Sequence, residues 1–271
     1  MNARREYVLP LVLALLVLPF GSGCKKVNHD DWKLVWQDEF EGPAGQLPNP
    51  ANWGFDVGTD WGNAQLEYDT ARPENVALDG AGRLAITARQ ETYLTRSYTS
   101  GRILTRGHFE QAGGRFEARL RMPSGQGLWP AFWMLGADFA SVGWPACGEI
   151  DIMEYRGQAP TIVHGSLHGP GYSGGAAKTR AFNASTRFDE GFHVFAVEWT
   201  SARIAWSVDG QVYSVLTPGD LPAGGTWVFN KPAFMLLNLA VGGNFVGPPN
   251  GSTVFPQQLL VDYVRVYRKG S

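Results

Sequence analysis

The sequence predicts an all-β protein, a β-sandwich with a long concave face. Three observations carry that prediction. Apolar and polar residues alternate with period two in several separate stretches, as they do along strands with one buried and one wet face. Beyond the first 24 residues no long segment shows a 3.6-residue apolar period. Glycine and proline, 34 and 17 of 271 residues, punctuate the gaps between the alternating stretches.

The elements follow in chain order. Leu84, Ile86 and Ala88 mark a strand. In Arg115 to Met122 the apolar set Phe116, Ala118, Leu120 and Met122 interleaves with Arg115, Glu117, Arg119 and Arg121, which predicts one core face and one wet face. Phe192 to Trp199 reads as another strand. Ile204 to Val208 and Gln211 to Val215 flank Asp209-Gly210, a pair suited to the positive φ angles of a two-residue hairpin turn. Phe234 to Val241 and Leu259 to Tyr267 complete the set. Trp53 to Thr70 and Gly165 to Asn183 are rich in glycine and polar residues and are expected as loops, where binding groups tend to sit. Many strands without crossover helices imply a sandwich or barrel.

The N-terminus reads as an address rather than as fold. Arg4 and Arg5 precede an apolar stretch from Tyr7 to Phe20, shorter than the ~20 residues of a bilayer span. Gly21-Ser22-Gly23 then lead to Cys24. This arrangement resembles the lipobox of bacterial lipoproteins, with Gly21 where such signals usually carry Leu. Residues 1–23 are therefore expected to be a signal peptide, 24–31 a polar tether and 32–271 one catalytic domain. Export is expected either with Cys24 acylated at the bacterial cell envelope or as a secreted protein. Cys147 is then the sole remaining thiol, so no internal disulfide is available. A formal charge of −2 without Lys/Arg blocks excludes nucleic acid as the expected partner. An uncharged polymer acting on a monomer suits this surface. Ten Trp, nine Tyr and fifteen Phe supply rings that stack on sugars, although many must also serve the core.

The chemistry concentrates in Glu149-Ile150-Asp151-Ile152-Met153-Glu154. Three carboxylates in six residues of an otherwise apolar strand are costly to crowd or bury, which makes them a functional-site candidate. A Ca²⁺ site or a solvated acidic patch is the competing explanation. On a regular strand Glu149 and Asp151 share a face while Glu154, at an odd offset, falls on the other. A β-bulge at Ile152-Met153 returns Glu154 to that face, about 13 Å from Glu149 along the strand at ~3.3 Å per residue. Side chains leaning inward then bring the two carboxyls to about 5–6 Å, the spacing of a retaining glycosidase. In that arrangement Glu149 is the nucleophile and Glu154 the acid, then the base. Asp151 lies between them and helps to keep them in different protonation states.

Trp129-Pro130-Ala131-Phe132-Trp133-Met134-Leu135, Trp144-Pro145-Ala146-Cys147-Gly148 and the acidic run that follows resemble the core of glycoside hydrolase family 16. The bulged form of that run resembles laminarinases, agarases and carrageenases, whereas lichenases and xyloglucan transferases carry a shorter, unbulged one. Similarity extends from Val35-Trp36-Gln37-Asp38-Glu39-Phe40 to Asp262-Tyr263-Val264-Arg265-Val266-Tyr267. The resemblance implies a β-jelly roll of two curved antiparallel sheets with a concave substrate cleft. His164 to Tyr172 and Asn238 to Asn244 are similar to the endo-β-1,3-glucanase branch, in which many members carry Trp where Phe245 stands. It also implies hydrolysis of β-1,3-glucan, with mixed-linkage glucan or agar- and carrageenan-type galactan as other substrates of the fold, and a non-catalytic glucan-binding protein as the other class. Trp129, Trp133, Trp144, His168, Asn63 and Arg102 fall at substrate-binding positions; any one of the tryptophans is alternatively core, and Asn63 and Arg102 alternatively structural. His164 and His168 without a third ligand are weak evidence for a metal. No cofactor is expected for catalysis. Asp262, with the chain around Glu39 and Gly82, falls where the family often holds a structural Ca²⁺.

Overall fold

The structure is a computed structural model that describes residues 31–270. The expected signal peptide, the Cys24 lipidation site and nearly all of the tether lie outside the described residues. Seventeen strands follow one another: β1 Trp32–Asp38, β2 Gly54–Phe55, β3 Glu67–Asp69, β4 Val76–Leu78, β5 Leu84–Tyr93 and β6 Arg96–Ser100 come first. Then come β7 Arg102–Leu104, β8 Gly114–Arg121, β9 Leu128–Gly136, β10 Glu149–Tyr155, β11 Ile162–His168 and β12 Lys178–Asn183. The last are β13 His193–Thr200, β14 Arg203–Val208, β15 Gln211–Leu216, β16 Ala233–Val241 and β17 Gln257–Lys269.

They form two sheets. One has ten strands, ordered β15-β14-β13-β8-β17-β5-β6-β3 with β1 on β17 and β4 on β5; the other has seven, ordered β12-β11-β10-β9-β16-β7-β2. Pairing is antiparallel except between β3 and β6, which run parallel. Between the sheets lies an apolar core to which Phe116, Phe132, Met134, Ile150, Phe195, Trp206 and Leu237 contribute. Outward residues of β9 and β16 form smaller clusters on the other face of the seven-stranded sheet, around Leu135 and Leu236 and around Trp129 and Ala240. All nine residues of β16 are buried for this reason: the core covers one face and the cleft side chains the other.

The expected hairpin is present. Asp209 and Gly210 have φ of 49° and 79°, the two positive angles of a type I′ turn, between the paired residues Val208 and Gln211. Three expectations need correction. The expected loop over 165–183 contains the end of β11 and all of β12. Polar, largely exposed β12 is an edge strand, and Gly165 and Gly169 interrupt the apolar signal around β11. The loop expected over 53–70 likewise contains the short strands β2 and β3. The face of β8 expected to be wet is partly buried: Arg115 and Glu117 are 2% and 4% exposed. Arg115 donates to Glu117 at 2.8 Å and to Glu198 at 3.3 Å, and Tyr267 donates to Glu117 at 3.3 Å, so the charges are buried as a bonded set.

Candidate active site

The parity problem in β10 is solved as the alternation requires. Toward β11, Asp151 pairs with Ser166 and Glu154 with His164, so Ile152 and Met153 together oppose the single residue Gly165. Toward β9, Asp151 pairs with Trp133 and Glu154 with Ala131, leaving the same two residues opposite Phe132. Ile152 and Met153 are both buried in the intersheet core. Spending two consecutive residues on the core face turns Glu154 to the same side as Glu149 and Asp151, and all three line one cleft of about 600 Å³.

Glu149 and Glu154 each have an indole donor. Trp144 Nε1 donates to Glu149 Oε2 at 2.6 Å, and Trp129 Nε1 to Glu154 Oε1 at 3.1 Å. Ser166 Oγ donates weakly to Glu154 Oε2 at 3.4 Å. His168 Nδ1 accepts the Gly174 amide at 3.1 Å, which places the proton of the neutral ring on Nε2. That Nε2 is 3.0 Å from Asp151 Oδ2, but the contact is too poorly aligned to count as a hydrogen bond. Burial raises all three acids. Burial and then the Asp151 charge push Glu149 up to about 8. Burial and then the Glu149 charge push Glu154 up to about 7. Asp151 is held well above its usual range by burial and then by Glu154. Three buried carboxyls this close share protons. The higher value falls on Glu149, but the three titrate as one cluster, and acid-assisted displacement draws on the shared state in which Glu149 is ionised and Glu154 holds a proton.

The family model for glycosyl hydrolases family 16 matches residues 61–249. A β-glucanase from Rhodothermus marinus is 43% identical over 263 residues, 91% of this chain and 91% of that protein. The chain therefore belongs to glycosyl hydrolase family 16. Among solved structures, an endo-β-1,3-glucanase from Pyrococcus furiosus superposes with a TM-score of 0.84 at 45% identity, covering 89% of this chain and 95% of that one. The laminarinase catalytic domain from Thermotoga maritima gives the same TM-score at 43% identity, covering 89% of this chain and 100% of that one.

The family 16 cleft gathers every expected substrate-binding residue, in differing roles. Trp144 is 46% exposed and offers an open ring face, whereas Trp129 is 8% exposed and tilted on Phe245 with centroids 5.2 Å apart. Trp129 thus serves the acid through its N–H more than as an open platform. Trp133 donates to Asn238 Oδ1 at 2.8 Å. The Arg102 guanidinium lies between the rings of Trp61 and Trp133, 4.8 and 4.9 Å from their centroids, and 3.1 Å from Asp56. Asn63, in a left-handed conformation with φ of 55°, accepts the Asn244 amide at 2.7 Å and joins two cleft loops. Sequence reasoning missed Trp61, Asn238, Ser166 and Thr179, which line the same cleft. Asn238 had a signal of its own, as the single polar residue inside the apolar run of β16.

Two other groups resolve plainly. Cys147 is buried and its thiol is pushed up to about 11, so it is an inert core residue. At the expected calcium position, which draws on Asp262 and the backbone around Glu39 and Gly82, the carboxylates are paired with arginines. Asp262 accepts Arg119 at 2.6 Å, Glu39 accepts both donors of Arg265 at 2.7 and 2.9 Å, and Gly82 faces Glu41. Among the described residues, the one cluster of three such donor groups is Glu149, Asp151 and His168 in the cleft.

Behind Arg102 the buried Glu67 accepts the Val241 amide at 2.8 Å, and burial pushes its carboxyl up to about 7. A carboxyl raised on folding contributes full stability below its unfolded pKa near 4.5, and that contribution is lost as pH rises through 7. Glu149, Asp151 and Glu154, all raised by burial, act in the same sense. The melting temperature is therefore expected to fall between pH 5 and pH 8. Glu67→Gln, which mimics the protonated form, is expected to recover about 5 °C at pH 8 and little at pH 5, as read by scanning calorimetry.

Proposed function

We propose that this chain is an endo-acting β-1,3-glucanase that cleaves by double displacement with retention of anomeric configuration. The observation that carries this reading is the bulge, which sets Glu149 and Glu154 on one face of a cleft walled by indole rings. Ionised Glu149 attacks the anomeric carbon and forms a glycosyl ester, while Glu154 gives its proton to the departing glycosidic oxygen. Glu154, now a carboxylate, takes a proton from water as the water attacks the same carbon, which frees Glu149. Asp151 returns a hydrogen bond to Glu149 as the ester breaks. Because the acid must be protonated, kcat/KM is expected to fall above about pH 7. No metal or cofactor enters these steps, so EDTA is expected to leave the rate unchanged.

The named relatives support β-1,3-glucan as the substrate. Mixed-linkage glucan and neutral galactans remain substrates of the same geometry. Sulfated carrageenan is disfavoured because, among the described residues, Arg102 is the one Lys or Arg lining the cleft and is paired with Asp56. A purely glucan-binding role is disfavoured because all three acids are assembled on the cleft face, with indole donors on both glutamates. The test is release of reducing ends from laminarin, mixed-linkage glucan, agar and carrageenan, with product sizes followed in time. Rapid formation of short oligosaccharides from laminarin supports the reading, and hydrolysis of another polymer in its place overturns the linkage. From the sequence of residues 1–24 we also read the enzyme as exported and anchored through Cys24, with plain secretion as the alternative. Cys24→Ser should then shift it from the membrane fraction to the soluble fraction.

A further inference from the structure

The bulge carries the chemistry, yet Ile152 and Met153 offer nothing specific to hold it in place, since two apolar side chains in a core tolerate sliding. A bulge interrupts the ladder and leaves backbone groups to find other partners. One of these partners comes from the opposite sheet. Trp206 of β14, 1% exposed, donates its indole N–H to the carbonyl of Asp151 at 2.8 Å. The same ring occupies the space over Gly165, the residue that faces the bulge across the β10–β11 ladder. A Cβ on Gly165 would lie 2.5 Å from Trp206 Cδ1, 2.6 Å from Nε1 and 2.6 Å from the Tyr213 hydroxyl. Trp206 is itself set by a second irregularity. It pairs with Ser214 while Ser207 pairs with Val212, so Tyr213 is an extra residue on β15 directly beside it.

We propose that Trp206 is the positioning residue that fixes the β10 bulge, and through it the spacing of the two catalytic glutamates, by clamping the Asp151 carbonyl from the opposite sheet. The inference rests on the two-carboxylate reading above. Trp206 touches no substrate. It acts by removing the alternative in which the extra residue slides along β10, a one-residue slip that would turn Glu154 toward the core. The absence of a side chain at Gly165 is what lets the indole come close enough, so the pair Trp206 and Gly165 works as a key and its slot.

Trp206→Phe keeps an apolar ring and removes the N–H. It is expected to lower kcat on laminarin at least tenfold with KM changed less than about threefold, and to displace the basic limb of the kcat profile. Trp199→Phe is the control, because Trp199 is equally buried and donates its indole N–H to the Phe229 carbonyl at 2.9 Å rather than to the bulge. It is expected to lower the melting temperature comparably and to leave kcat and the pH limbs unchanged. Gly165→Ala should reproduce the Trp206→Phe kinetics by pushing the indole away. A folded Trp206→Phe enzyme with wild-type kcat and pH limbs, or one matched by Trp199→Phe, overturns the proposal. Where the variants do not fold, the wild-type enzyme with ¹⁵N-labelled tryptophan serves. The Trp206 indole resonance is expected to be protected from exchange and to shift between pH 6 and 8 as the acids titrate; a resonance flat over that range overturns it. Wild-type enzyme inert on every glucan would instead refute the functional reading and leave the indole measurement intact.

Discussion

Glu149→Ala and Glu154→Ala are each expected to lower kcat on laminarin by about 10³-fold or more without unfolding the protein, and to differ from each other in their dependence on the leaving group. Removing Glu154 deprives the departing oxygen of its proton. An aryl glycoside whose phenolate leaves unaided should therefore be cleaved by Glu154→Ala at a rate close to wild type in the first step. Removing Glu149 deprives both substrates of the nucleophile, so no such recovery is expected. Azide sharpens the contrast. In Glu149→Ala it fills the nucleophile's place and should yield the α-glycosyl azide. In Glu154→Ala it attacks the glycosyl-enzyme and should yield the β product. The same anomer from both variants would mean that the roles are wrongly divided.

The second large effect comes from deletions within the bulge. Deletion of Met153 alone brings Glu154 to an even offset from Glu149 on a regular strand, so all three acids keep to the cleft face. Activity is expected to survive within about a hundredfold, at some cost in stability from the lost buried side chain. Deletion of both Ile152 and Met153 leaves an odd offset, turns Glu154 into the core and should abolish activity while lowering the melting temperature. Kinetics and calorimetry on the two deletions, read together, separate parity from mere damage. Equal loss in both would show that the face of Glu154 is not what the bulge provides.

The acids and their bulge were legible because the whole arrangement is local. Six consecutive residues carry three carboxylates, and strand parity alone says that one of them needs an extra residue beneath it. The hairpin at Asp209-Gly210 was legible for the same reason. The remainder of the cleft depends on which strands become neighbours. Trp133 meets Asn238 because β16 lies beside β9, a pairing across 105 positions that no local pattern announces. Ser166 and Thr179 join the cleft through β11 and β12, whose glycines and exposed polar residues resemble a loop until the sheet is assembled. Arg115 and Glu117 look like a wet face because alternation reports polarity, whereas their burial depends on partners in β13 and β17. The Trp206 clamp is the furthest from sequence, since it joins two irregular strands of opposite sheets across a glycine.

The central claim is that Glu149 and Glu154, brought to one face by the bulge, act as nucleophile and acid/base in two successive inversions at the anomeric carbon. Proton NMR of laminarin hydrolysis in its first minutes tests this most directly, because the new reducing end is seen before it mutarotates. The mechanism requires the β anomer to appear first and the α anomer to grow only later. An α anomer formed first would mean a single displacement by water and would contradict the assignment of Glu149 as the nucleophile.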